Sequence, residues 1–138
     1  MSDPVDVMLA IDADAIRLDE LEQALGEATD LLDEAEYAWL EHRDKIAESL
    51  KDEMDKAGRK GDPAEHWIDT QARRENRVAW SNYRRAERAV RRIKEQLKAK
   101  QAAMSGRQSQ LGALRDELRA RPYQPQPQGE TYGSRRAA

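Results

Sequence analysis

The side chains singled out for chemistry in this chain are its many carboxylates, its arginines and its two histidines, and its 138 residues include no Cys. Thiol nucleophiles, thiolate metal sites and disulfides are excluded, and the composition fits a reducing compartment. His42 and His66 are too few for a histidine-based metal cluster, and no Glu-x-x-His motif occurs. Glu34, Glu41 and Glu48 follow one another at seven-residue spacing. On a helix that spacing lines carboxylates along one exposed face, whereas carboxylate-bridged metal centres need them to converge inside a bundle. The expectation is a protein without catalytic residues, metal or cofactor.

Arginine is the residue type most strongly concentrated. Eight arginines fall between Arg73 and Arg92, with Trp80 and Tyr83 interleaved. Guanidinium groups pair with phosphates and aromatic rings stack on bases, so Arg74, Arg77, Arg84, Arg85, Arg88, Arg91 and Arg92 are candidate nucleic-acid contacts. The first 41 residues reverse the sign, with thirteen acidic side chains and one basic, Arg17, while residues 58–138 carry nineteen basic and nine acidic. The net charge of −3 therefore conceals two arms of opposite charge. Mutual attraction of the arms accounts for part of this, and outward charges also keep a helix solvated. A third reading is that the acidic arm imitates a phosphate row and competes for a nucleic-acid groove on another protein.

The elements that must carry these residues are long helices. Charged residues make up 37% of the chain and aromatics 5%, the profile of solvated helices rather than a broad globular core. Ile11, Leu18, Leu25, Leu32, Trp39 and Ile46 recur every seventh residue, and so do Tyr83, Val90, Leu97, Met104, Leu111 and Leu118. Opposed members, from Ile11 with Leu111 to Trp39 with Tyr83, have numbers that always add to 122, which places the fold-back at Gly61. A constant sum is what an antiparallel pair of helices requires. The fold class expected is all-α, a long antiparallel coiled-coil hairpin able to dimerise into a four-helix bundle. On the same rule Asp14 falls near Arg107.

Local signals set the boundaries. Asp3 reads as an N-cap with Pro4 at the first helical position. Gly58 and Gly61 tolerate positive φ, and Asp62-Pro63-Ala64-Glu65 reads as N-cap, first-turn Pro and capping-box Glu. The expected organisation is an acidic helix over 1–57, a turn over 58–62, a basic helix over 63–121 and a disordered Pro, Gln and Arg tail over 122–138. Gly106 and Gly112 weaken the distal end of the second helix. Within the tail, Pro122-Tyr-Gln-Pro125 fits the loose PxxP pattern of docking motifs. No apolar stretch reaches membrane-spanning length and no export signal precedes the first helix, so a soluble, cytoplasmic protein without membrane contact is expected.

Two helices bury only one seam, which points to partners. Leu31, Ala38 and Ala89 form small apolar flanks beside the seam, where a second hairpin can approach closely. Trp39 and Tyr83 are expected to meet as a layer, leaving Trp67, Ile68 and Trp80 without room. Those three either anchor an interface, or residues 63–72 fold as a separate short helix over Leu50 and Met54. The stretch from Ala72 to Arg92, together with Met104 to Leu118, resembles the small coiled-coil proteins encoded by actinobacterial phages. That resemblance implies an accessory factor that works by binding protein or nucleic acid in the infected cytoplasm, and it assigns no residue a role. The reading that unites these features is a non-enzymatic assembly module that self-associates and engages a protein partner, with direct nucleic-acid binding as the alternative.

Overall fold

The computed structural model describes residues 3–121; the expected tail and its Pro122 to Pro125 stretch lie outside them. The described residues contain three helices and no strand: α1 over Pro4–Lys56, α2 over Glu65–Glu75 and α3 over Arg77–Ala120. No helix among them is long and apolar enough to cross a membrane.

α1 starts where its residues allow it to. The Asp3 carboxylate accepts from the Val5 N–H at 2.9 Å, and the Asp3 carbonyl takes the Val7 N–H at 3.1 Å. No proline then interrupts the chain until Pro63. At the far end Gly58 adopts φ 73°, which lets the Arg59 N–H reach back to the Met54 carbonyl at 2.8 Å and the Gly58 N–H to that of Asp55 at 3.1 Å. These two bonds form a Schellman ending, which satisfies carbonyls the helix would otherwise leave open. Gly61, also at positive φ, turns the chain again, and the Lys51 ammonium donates to its carbonyl.

The basic arm differs from the expected single helix over 63–121. The Asp62 to Glu65 capping box does not form: the residue preceding the helix is Ala64, which has no side-chain cap. A second interruption falls at Asn76, whose φ of −139° and ψ of 78° lie outside the helical region. Its N–H closes α2 on the Ala72 carbonyl at 3.0 Å, while its side-chain oxygen accepts from the Ala79 N–H at 3.0 Å and caps α3. One residue thus ends one helix and begins the next, because Asn bonds readily to nearby backbone amides.

That break lets α2 fold onto α1. Ile68 and Ala72 are buried in a cluster with Trp39, Ile46 and Leu50, and Ala47, Ala79, Trp80 and Tyr83 pack around it. Arg43 ties the two helices from outside, donating to Asp69 at 2.6 Å and also to Glu65. A separate short helix does lie against Leu50, though it spans Glu65–Glu75 rather than residues 63–72. Neither Ile68 nor Trp80 is an unpartnered interface anchor: Ile68 fills the core, and Trp80 packs against Trp39 with ring centroids 4.9 Å apart and planes tilted by 55°. Trp80 joins the expected Trp39–Tyr83 layer: Tyr83 packs against the cluster that holds Trp39 and meets the edge of Trp80 at 6.0 Å.

The chain divides into two compact units, residues 15–102 and a second that joins residues up to 14 with those from 103. Within the first, Trp39 meets Trp80 while Leu32 and Val90 share one crevice. As α1 steps back toward its start, α3 steps forward, so the two run antiparallel. Within the second, Arg107 donates to Asp14, the pair that the numbering rule anticipates. Asp14 is not at a seam edge, however, with only 2% of its surface exposed. Along the first half of α1 the deepest row is Val7, Asp14, Leu21 and Ala28, and the expected row of Ile11, Leu18, Leu25 and Leu32 is half-buried. On α3, Val90 and Leu97 are buried but Leu118 is exposed.

Candidate functional site

A broad recess lies within the first unit, between α1 and α3. α1 contributes Ala28, Leu31, Glu34, Ala35 and Ala38, and α3 contributes Val78, Ala79, Asn82, Arg85, Ala86 and Ala89, with Asn76 at one end; the volume is about 720 Å³. The construction follows from helical spacing. Residues seven apart stay on one face of a helix, so Ala28 and Ala35, Leu31 and Ala38, and Ala79 and Ala86 form short stripes beside the seam. Alanines keep the floor low. Leu31 and Val78 rise from it with 62% and 70% of their surface exposed. Glu34 stands on one rim and Arg85 on the other.

Leu31, Ala38 and Ala89, three of the six candidate interface residues, are brought together in this groove. Trp67 sits on α2 with 37% of its surface exposed, away from the groove. Ile68 and Trp80 belong to the core described above. Sequence reasoning missed that Ala79 and Ala86 complete the floor. The signal was present in alanines at seven-residue spacing on both arms.

The arginine run resolves into groups with different surroundings. Arg73 lies over the Trp80 ring at 4.4 Å and Arg84 at 5.7 Å, a pair of cation–π contacts on one indole. Arg84 also donates to Glu87 at 2.7 Å. Among the candidate nucleic-acid contacts Arg84 is therefore engaged within the fold. Arg74, Arg77, Arg85, Arg88, Arg91 and Arg92 are exposed. At 100° per residue, Arg77, Arg88 and Arg91 share one face of α3, while Arg85 and Arg92 share another that borders the alanine groove.

The remaining candidates for chemistry have structural surroundings. His42 is half-buried beside Trp39 and donates from Nε2 to the Ala72 carbonyl at 3.2 Å, which helps hold the end of α2. The Arg43 guanidinium is held above its ordinary pKa by its hydrogen bonds to Asp69 and Glu65. Burial raises the Tyr83 phenol above its ordinary 10.0, helped by the nearby carboxylates of Glu87 and Glu36. Among the described residues no three His, Asp or Glu side chains converge so as to hold a metal ion. What this surface offers is an open, shallow groove for apolar contact, edged by charge of both signs. No family model matches the sequence, and neither a curated protein nor a solved structure does so.

Proposed function

We propose that this chain is a non-enzymatic interaction module whose working surface is the alanine groove, and that its first partner is a second copy, giving a four-helix bundle. The observation carrying this reading is the exposure of Leu31 and Val78 above a floor of alanines. Large apolar side chains beside hollows of matching scale are what helices use to interlock. Burying a Leu or Val contributes roughly 1.5–3 kcal/mol. Four such side chains across a symmetric contact supply roughly 6–12 kcal/mol against an association cost of about 4–15 kcal/mol, so the pairing expected is weak, about micromolar at its tightest. In keeping with the resemblance to phage coiled-coil proteins, the proposed setting is the infected bacterial cytoplasm, where the module acts on itself and on phage or host proteins.

Sedimentation equilibrium from about 1 to about 300 μM tests the proposal across that affinity range. The wild-type protein should shift from monomer toward dimer, and Ala86→Glu, which places a charge on the groove floor, should stay monomeric with its helical content intact. A wild-type mass that remains monomeric throughout would remove self-association.

Direct nucleic-acid binding is the second reading, favoured by the six exposed arginines that have no carboxylate partner among the described residues. It predicts binding of plain duplex DNA or RNA with a Kd of about 10⁻⁴–10⁻⁶ M that weakens steeply as salt rises. Arg77→Ala combined with Arg88→Ala and Arg91→Ala should flatten that salt dependence. Absence of binding at low salt would dismiss this reading without touching the groove.

A further inference from the structure

The groove has one acidic rim and one basic rim, and this asymmetry restricts how two copies can meet. Trp39 sits level with Trp80. Five residues away on each helix Glu34 therefore stands within about one turn of the height of Arg85, and twelve residues away Glu27 stands likewise close to Arg92. Glu27 and Arg92 extend the same rims by one heptad. All four are exposed, and none has an ion-pair partner among the described residues. Two copies placed groove to groove can be related by a two-fold axis in the contact plane that either crosses the helices or runs along them. An axis across the helices sets α1 against α1, carboxylates facing carboxylates. An axis along them sets α1 of one copy against α3 of the other at the same level.

We propose that the partner for the groove is a second copy related by a two-fold axis parallel to the helices, so that Glu27 and Glu34 of each copy face Arg92 and Arg85 of the other. The proposal rests on the self-association reading and adds its geometry. Shape agrees with charge, since this axis brings the projecting Leu31 of each copy onto the small Ala89 of the other, nearly level with it along the helices. The axis across the helices has no such match of charge, because wild-type rims would repel on both sides.

Two measurements on the full chain separate the alternatives. Glu27→Arg with Glu34→Arg should weaken wild-type dimerisation by about thirtyfold, since four attractive rim pairs become repulsive. Mixing that variant with one carrying Arg85→Glu and Arg92→Glu should restore pairing as a heterodimer. The chain has no native cysteine, so disulfide trapping is clean: a Leu31→Cys chain should crosslink to an Ala89→Cys chain but not to itself. Efficient crosslinking of Leu31→Cys to itself, or dimerisation insensitive to the double arginine variant, would overturn the axis while leaving the groove as the interface. A wild-type protein that never dimerises would remove the groove reading and the axis with it.

Discussion

Around Trp39 the helices are closed by apolar surface, whereas at Asp14 they are closed by an ion pair that burial has stripped of much of its water. The first region combines two indoles with Ile46, Leu50, Ile68 and Ala72, and draws in a third helix. The second has Val7 as its buried apolar residue and sets a carboxylate in the position where the seven-residue row calls for a Leu. Apolar burial is non-directional and tolerates sliding; a buried charge does not. The contrast separates two tasks, with most of the cohesion in the aromatic region and much of the specification of register in the charged one.

Removing the largest buried side chain tests that division most severely. Trp39→Ala should cost about 3–5 kcal/mol in urea unfolding and release α2 from α1, seen as lost protection of the Ile68 and Ala72 amides from hydrogen exchange. The charged region should respond differently to its two partners. Arg107→Ala leaves a carboxylate buried with less compensation and should cost about 2 kcal/mol, below the usual figure for a broken buried pair because the Arg107 side chain is 39% exposed. Asp14→Leu continues the apolar row and should change stability by no more than about 1 kcal/mol. If Asp14→Leu instead proved as damaging as Trp39→Ala, the ion pair would be a principal source of cohesion and the contrast would fail.

Glycines sharpen the same comparison at lower amplitude. Gly106 and Gly112 lie within α3, where an added Cβ meets nothing within 4 Å. Each Gly→Ala change there should stabilise the protein by about 1 kcal/mol, read as a higher melting temperature. At Gly58 the same change should destabilise, because φ is 73° and a side chain is strained there whatever the space around it.

Much of this architecture was legible in the spacing of residues. The start at Asp3 and Pro4, the glycine turn and the meeting of Asp14 with Arg107 all follow from local chemistry or from antiparallel numbering. The break at Asn76 was not, because a helix-compatible apolar pattern continues through it, and a single Asn counts only when its side chain finds the amide three residues on. Missing that break misplaces Trp80, which then has no partner on paper and becomes an apparent interface anchor. The groove was half legible. Leu31, Ala38 and Ala89 stand beside the seam on a helical wheel, but the recess exists only because Ala28 and Ala35 on α1 come opposite Ala79 and Ala86 on α3, a coincidence of two rows that neither row shows alone.

The smallest expected effect is a pH dependence confined to the aromatic region. Burial of Tyr83 and the charges of Glu87 and Glu36 favour its neutral phenol, so its pKa is higher in the folded chain than the ordinary 10.0. As pH climbs past that value the unfolded chain loses its proton first. The stability Tyr83 contributes is fully present below pH 10.0 and declines as pH rises through the higher folded-state value. Lysines begin to titrate in the same range, so absolute stability at high pH says little about this phenol. The informative quantity is the difference in urea midpoint between wild type and Tyr83→Phe, which removes the hydroxyl and keeps the ring against Trp80. That difference should be flat from about pH 7 to about pH 9 and then shift in favour of the Phe variant. A difference that stays flat throughout would mean that the phenol is as well hydrated in the fold as out of it, and that the apolar closure around Trp39 ends before it reaches Tyr83.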